Sequence, residues 1–330
     1  MSEEHQFAPF IRILGKGKNG SRSLTQDEAY HAMRMILADE VEPLQLGAFL
    51  MLLRVKEESP EELAGFVLAA REAIVFPDNA PAVDVDWSSY AGKRRQLPWF
   101  LLSTLLLASH GVNVFMHAIG GRKDDRVYTP ETLTILGITP CDSVQEAANR
   151  IRDHHFAFMS LEALSPKLYQ IIGMRSLLGL RSPVHTLARM LNPMRAPVMM
   201  QGIFHPAYRD MHQLAAQLLN QPHVAVIKGE GGEIERDPDS ACLVKGVHNG
   251  ELTEETWPPM FDNRHVKDAS MDIQRLPALW HGDIVDEYGL AAVVGTTAIT
   301  LKTMGRADTQ NAALKMAQDM WAQRPASWPV

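Results

Sequence analysis

Ser88–Arg126 reads SSYAGKRRQLPWFLLSTLLLASHGVNVFMHAIGGRKDDR. The order is a strand end, a basic loop, an apolar helix, a second strand and a second basic loop, the βαβ layout that places anion sites at the ends of strands. Lys93, Arg94 and Arg95 stand in the first loop, and Arg122, Lys123 and Arg126 in the second. If the two strands are parallel neighbours, both loops open onto one cleft.

N-terminal to this unit, Leu24–Ile74 reads as helical throughout. Thr25 and Glu28 form a capping box ahead of the apolar-periodic Ala29, Met33, Ile36 and Leu37. Pro43 opens a second helix, and Ser59-Pro60 opens a third with Glu61 and Glu62 in its first turn, where the helix dipole favours carboxylates. Pro77, Asp78, Asn79 and Pro81 then read as a linker.

Beyond the linker the period changes. Strands are expected at 83–87, 112–117, 156–161, 197–203 and 223–228, alternating with helices at 96–110, 129–136, 144–155, 165–180, 182–192 and 208–219. That alternation predicts a mainly parallel sheet covered on both faces. A Gly-rich turn follows at Gly229, Gly231 and Gly232. The stretch 235–279 gives only loops, short strands and an acidic surface, and two closing helices are expected at 283–304 and 309–323. The fold class is therefore α/β: a small helical domain at 1–77, joined by roughly 165–195, and a larger α/β domain at 82–164 and 196–330.

With 330 residues, 46% of them apolar, the chain can bury one or two sizeable cores. Cys141 and Cys242 are its two cysteines and lack CxxC spacing, which suggests free thiols in a reducing compartment. The acidic start MSEEHQF has no signal-type apolar run, and the longest apolar stretch, 97–108, is too short to span a bilayer. A cytoplasmic protein without a membrane partner is expected. The net charge of −7 is unevenly spread: His5–Gln26 carries four basic residues and no acid, and Ala163–Arg209 carries Lys167, Arg175, Arg181, Arg189, Arg195 and Arg209 and no acid. Blocks of one sign attract an anionic partner even when the whole molecule is acidic, although scattered cations also serve only to solvate separate faces.

Two large fragments carry a family resemblance. LTQDEAYHAMRMILADEVEPLQLGAFLMLLRVKEESPEELAGFVLAAREA (Leu24–Ala73) resembles the helical N-terminal domain of anthranilate phosphoribosyltransferases and nucleoside phosphorylases, and SPKLYQIIGMRSLLGLRSPVHTLARMLNP (Ser165–Pro193) resembles the helix pair that ends in that family's Leu-Asn-Pro motif. TPETLTILGITP (Thr129–Pro140) adds a shorter match. The resemblance implies a homodimer of two-domain subunits with a cleft between the domains. In the enzymes it implies a phosphoribosyl pyrophosphate site made by a Gly-Thr-Gly-Gly-Asp loop, an Asn-x-Ser-Thr helix start, a Lys-His-Gly-Asn loop and an Asp-Glu pair on Mg²⁺.

This chain departs from the pattern at each place. The equivalent positions read Tyr90-Ala91-Gly92-Lys93-Arg94, Leu97-Pro98-Trp99, Met116-His117-Ala118-Ile119 and Glu233-Ile234, while Arg175 matches an arginine that contacts the aromatic acid. The ligand-site equivalents are thus Tyr90, Gly92, Trp99, His117 and Arg175. The departures resemble the YbiB-like branch of the family, which implies a fold kept without catalysis and unspecific binding of DNA or RNA. On that reading Lys93, Arg94, Arg95, Arg122, Lys123, Arg126, Lys167, Arg175 and Arg181 contact phosphates, with Tyr90, Trp99 and His117 available to stack on bases. The plainer account makes the cations solvating or locally paired and the aromatics core.

No catalytic residue, cofactor or metal is expected. Glu230, Glu233 and Glu235 are weak Mg²⁺ ligands, relevant only if the chain is instead a transferase moving phosphoribose to an aromatic acceptor. The 13 histidines show no ligand spacing on a helix face, and the glycine runs fit neither a Walker nor a dinucleotide pattern.

Overall fold

The computed structural model describes residues 4–121, 125–268 and 270–328. Four helices come first: α1 (Ala8–Gly15), α2 (Gln26–Leu37), α3 (Pro43–Lys56) and α4 (Pro60–Glu72). Their starts are set locally. Thr25 with Glu28 and Ser59 with Glu62 each close a reciprocal capping box, and Pro43 and Pro60 occupy first-turn positions that need no N–H. Gly65 lets α4 meet α2, since a Cβ there would lie 2.2 Å from the Gln26 carbonyl oxygen.

The α/β part runs β1 (Val85–Ser89), α5 (Phe100–Ser109), β2 (Val114–Ala118), α6 (Thr129–Ile135), α7 (Val144–His154), β3 (Phe156–Ser160), α8 (Leu161–Leu164), α9 (Pro166–Gly173), α10 (Arg175–Leu178) and α11 (Val184–Ala188). It continues through β4 (Val198–Ile203), α12 (Tyr208–Leu218), β5 (His223–Lys228), β6 (Cys242–His248), β7 (Glu251–Trp257), α13 (Arg275–His281), α14 (Glu287–Thr303) and α15 (Gln310–Ala322). The seven strands form one sheet in the order β3-β2-β1-β4-β5-β6-β7. The first five are parallel, and β6 and β7 close the edge antiparallel. The expected fold class holds: a small helical domain beside a larger α/β domain with a mostly parallel sheet.

Each sheet face has its own core. Phe115, Met199, Val224 and Val226 point to the side covered by the N-terminal helices, α7, α9, α11 and α12. Trp87, Met116, Met200, Ala225 and Ile227 point to the side covered by α5, α13, α14 and α15. This alternation is the period-2 pleat of strands buried on both faces. α5 is apolar all round because it lies inside, with Phe100 to Ala108 all buried. Arg71, 4% exposed, ties α4 to the segment after α11 through the carbonyls of Leu191 (2.6 Å) and Met190 (3.1 Å).

Three expectations change. The helix over 165–180 is two pieces, α9 and α10, separated at Met174 and ended by Gly179 with a left-handed φ of 72°. α1 precedes the first expected helix. The stretch 235–279 holds the hairpin β6–β7, whose two-residue turn is Asn249-Gly250 with φ of 50° and 88°. No helix among the described residues is long and apolar enough to cross a membrane.

Candidate functional site

Strand order reverses direction between β1 and β4: β2 and β3 extend the sheet one way from β1, and β4 and β5 the other. Such a switch point leaves a crevice at the C-terminal ends of the two central strands. Here it is flanked by the loop 90–99 after β1 and by Phe204–Ala207 after β4. Gly92 makes the first loop possible. Its φ is 72°, and a Cβ would lie 2.9 Å from the Tyr128 ring. A backbone bridge between Lys93 and Val127 (2.9 and 2.8 Å) clamps this loop to the segment that carries Arg126.

The backbone N–H groups of the loop converge on anions, as they would for phosphate, but the anions are the protein's own. Glu233 Oε1 accepts from Ala91 (2.6 Å) and Gly92 (2.7 Å). Glu230 Oε1 accepts from Arg94 (2.9 Å) and Arg95 (2.7 Å). Glu235 Oε2 accepts from Phe100 (2.8 Å) at the first turn of α5, where the helix dipole favours negative charge. Lys93 completes the set, its Nζ 2.5 Å from Glu235 and 3.3 Å from Glu230. Burial disfavours the Lys93 ammonium, but Glu235 and Glu230 outweigh it and hold its pKa above the ordinary lysine value.

This geometry corrects several expectations. Lys93 is 2% exposed and engaged by two carboxylates, so it presents no charge to a partner. Gly92 spends its N–H on Glu233. Glu230, Glu233 and Glu235 spend oxygens on N–H and ammonium donors, and no group of three or more His, Cys, Asp or Glu among the described residues could hold a metal ion. Glu233 Oε2 is the one of these oxygens left buried without a partner, too few for the Mg²⁺ of the enzymes.

Trp99 and His117 are fully buried, which removes them as stacking surfaces. Trp99 packs on Gly289, with Arg275 over its ring at 5.6 Å. His117 stands between the Tyr90 hydroxyl (2.6 Å) and Asp86 (3.4 Å). Tyr90 is 7% exposed, and burial followed by the Asp86 charge pushes its phenol well above the usual value, leaving it a neutral donor.

Other cations are differently placed. Arg94 and Arg95 have exposed side chains although their N–H groups are held. Arg126 is half-buried and donates to the carbonyls of Ala91 (2.9 Å) and Gly92 (3.3 Å). Lys167 pairs with the exposed Asp39 of the helical domain. Arg175 and Arg181 are exposed. Arg122 and Lys123 lie outside the described residues.

Arg175, Arg181, Arg189 and Arg126 form one electrostatic cluster. Burial first, and then the charges of Arg175, Arg189 and Arg126, hold the Arg181 guanidinium below its ordinary value. Burial, and then the charges of Arg181, Arg189 and Arg175, push His185 down to about 4, despite its bond to the Ser182 carbonyl. The cluster borders a cleft of about 180 Å³ between the two domains. Arg54 and Glu58 contribute from the helical side, Arg181, Ser182, His185, Thr186 and Arg189 from the segment around α11, and Tyr90, Phe204, His205 and Tyr208 from the α/β side. Arg189, partly buried, also donates to the carbonyls of Gly202 (3.1 Å) and Gly232 (2.6 Å).

Arg54, Phe204, His205 and Tyr208 were not expected at the site. Arg189, in the same acid-free block as Arg175 and Arg181, lines this cleft with Arg181. The signal that could have found the aromatics is their place directly after the strand next to the switch point, which follows once strand order is known.

Residues 8–74 match the model of the glycosyl transferase family, helical bundle domain. An uncharacterized protein of Aquifex aeolicus is 32% identical over 238 residues, covering 71% of this chain and 72% of the relative. The uncharacterized protein YbiB of Escherichia coli is 30% identical over 206 residues, 61% of this chain and 64% of the relative. Among solved structures, anthranilate phosphoribosyltransferase from Thermus thermophilus superposes with a TM-score of 0.78 at 21% identity, covering 98% of this chain and 96% of that one.

Proposed function

The chain belongs to the anthranilate phosphoribosyltransferase-like family, and we propose that it uses this scaffold without catalysis, as a homodimer that binds nucleic acid of any sequence through arginines around the interdomain cleft. The observation that carries the reading is the occupation of the anion-binding loop by Glu230, Glu233 and Glu235. Gripping a phosphorylated sugar needs those N–H groups, and a bridging divalent cation needs those carboxylate oxygens. The N–H groups are already consumed, the carboxylates keep one buried oxygen without a partner among the described residues, Glu233 Oε2, and the Lys93 ammonium lies between the other two carboxylates.

What remains for phosphate is exposed side-chain charge. Arg94, Arg95, Arg175 and Arg181 are exposed, and Arg181 is surrounded by like charges that an incoming phosphate would relieve. Contacts of this kind neutralise backbone phosphates and carry no sequence information, hence the expectation of unspecific binding to DNA or RNA. The reading calls for no metal or cofactor.

Titration with a single-stranded oligonucleotide at several salt concentrations tests it. Engagement of ~4 to 6 phosphates gives a log–log slope of about −3 to −4. Arg94→Ala with Arg95→Ala removes two charges and flattens that slope by about 1.4. Absence of binding at low salt overturns the reading. Mg²⁺-dependent turnover of phosphoribosyl pyrophosphate with an aromatic acceptor would replace it with a transferase.

A further inference from the structure

Phe204, His205 and Tyr208 stand together on the α/β wall of the cleft, with Phe204 50% exposed. The Phe204 and His205 rings meet edge to face at 4.8 Å, and the His205 and Tyr208 rings lie 6.4 Å apart. A half-exposed phenylalanine beside two further rings at a domain seam is a costly surface for water to cover and a good one for a flat π-system. The opposite wall carries Arg181, with Arg175 and Arg126 within its electrostatic reach.

Two more features belong to the same wall. Glu58 Oε1 accepts from the Thr186 hydroxyl (2.8 Å), but its Oε2 has no partner among the described residues, and neither does the Ser182 hydroxyl. Both residues are more than nine-tenths buried and line the cleft. Buried polar atoms are normally satisfied, so two such atoms in one cleft wall mark a place where a polar edge is missing. His185 and His212 are both held neutral, at about 4 and about 3, which leaves the arginines as the cationic groups of the cleft at neutral pH.

We propose that the cleft takes one unpaired base of a bound strand, stacked on Phe204 with His205 and Tyr208 against its edges and its flanking phosphates on Arg181 and Arg175. Stacking accepts any base, because every base has a π-face, and so adds strand preference without sequence preference. This inference rests on the nucleic-acid reading above and adds that single strands are the preferred form.

A strand carrying 2-aminopurine at one position, its duplex, the same strand with abasic sites and a free mononucleotide make the test, each at one fixed salt concentration. The single strand is expected to bind about tenfold or more tighter than either the duplex or the abasic strand, with a change in 2-aminopurine fluorescence. Phe204→Ala with Tyr208→Ala abolishes that advantage and leaves duplex binding in place, with circular dichroism showing that the variant is folded. Equal affinity for single, abasic and duplex strands, still weakened by Arg94→Ala with Arg95→Ala, overturns the base site and leaves the nucleic-acid reading standing. A mononucleotide binding as tightly as the strand reassigns the cleft to a free nucleotide and overturns the proposal. No binding of any strand removes both.

Discussion

The loop after β1 and the cleft mouth beside α11 are both basic in sequence, yet they solve opposite problems. In the loop, cation and backbone donors are matched inside the fold: Lys93 and the N–H groups of residues 91, 92, 94, 95 and 100 meet Glu230, Glu233 and Glu235. At the cleft mouth, Arg175 and Arg181 are exposed, and Arg181 feels three like charges. Charge that is satisfied internally holds the fold together, whereas charge left unmatched on a surface is what a polyanion finds. Counting cations along the chain does not distinguish the two cases.

The contrast breaks most sharply at Lys93. Lys93→Ala leaves Glu230 and Glu235 facing each other in a buried site, and a loss of about 3–5 kcal/mol is expected on denaturant unfolding. Its effect on the salt dependence of strand binding should be nil. A stable variant with a flattened salt slope would place Lys93 among the phosphate contacts and dissolve the distinction. The same pair sets a pH limit. Because the folded pKa of Lys93 lies above the ordinary 10.5, its stabilisation is complete below that value and is lost as pH rises through the folded pKa. The alkaline decline should vanish in Lys93→Met with Glu230→Gln and Glu235→Gln.

Gly92→Ala tests the loop's backbone rather than its charge. A left-handed φ and a Cβ placed 2.9 Å from Tyr128 predict a cost of roughly 1–3 kcal/mol, read as a lowered melting temperature. On the cleft side, His185 and His212 are depressed to about 4 and about 3. Protonating them costs folding energy, so stability present above the ordinary histidine value falls as pH drops from about 6.5 towards those values. His212→Gln should remove part of that acid dependence while leaving stability at neutral pH less changed. The smallest effect belongs to the exposed arginines. Arg94→Ala with Arg95→Ala should leave the unfolding midpoint within ~0.5 kcal/mol, since their side chains, unlike their N–H groups, bind nothing inside.

Much of the fold was legible because its signals are local. Capping boxes at Thr25 and Ser59, prolines at helix starts and the change from helical to strand period each act within a few residues. The strand 223–228 was placed to the residue. The hairpin β6–β7 was missed although Asn249-Gly250 is a strong turn signal, because its flanking strands are partly polar and sit in an acidic stretch. The break at Met174 inside 165–180 is not legible because the apolar period continues across it and Met174 itself keeps helical φ, with only its ψ of −7° departing from the helix.

The loop 90–99 lies at the switch point, and the side chains of Arg94, Arg95, Arg175 and Arg181 are exposed, but their wiring was not legible. By itself the sequence determined the helical module, the alternation of strands and helices, the family and the uneven spread of charge, since each follows from neighbours in the chain. Only the tertiary structure decided that Lys93 is buried against Glu235, 142 positions away, and that Trp99 and His117 are interior while Phe204 reaches the surface. The reason is physical: whether a charge or a ring serves the core or a partner depends on what lies within a few ångströms of it, and the strand order that fixes those neighbours is set by packing across the whole sheet.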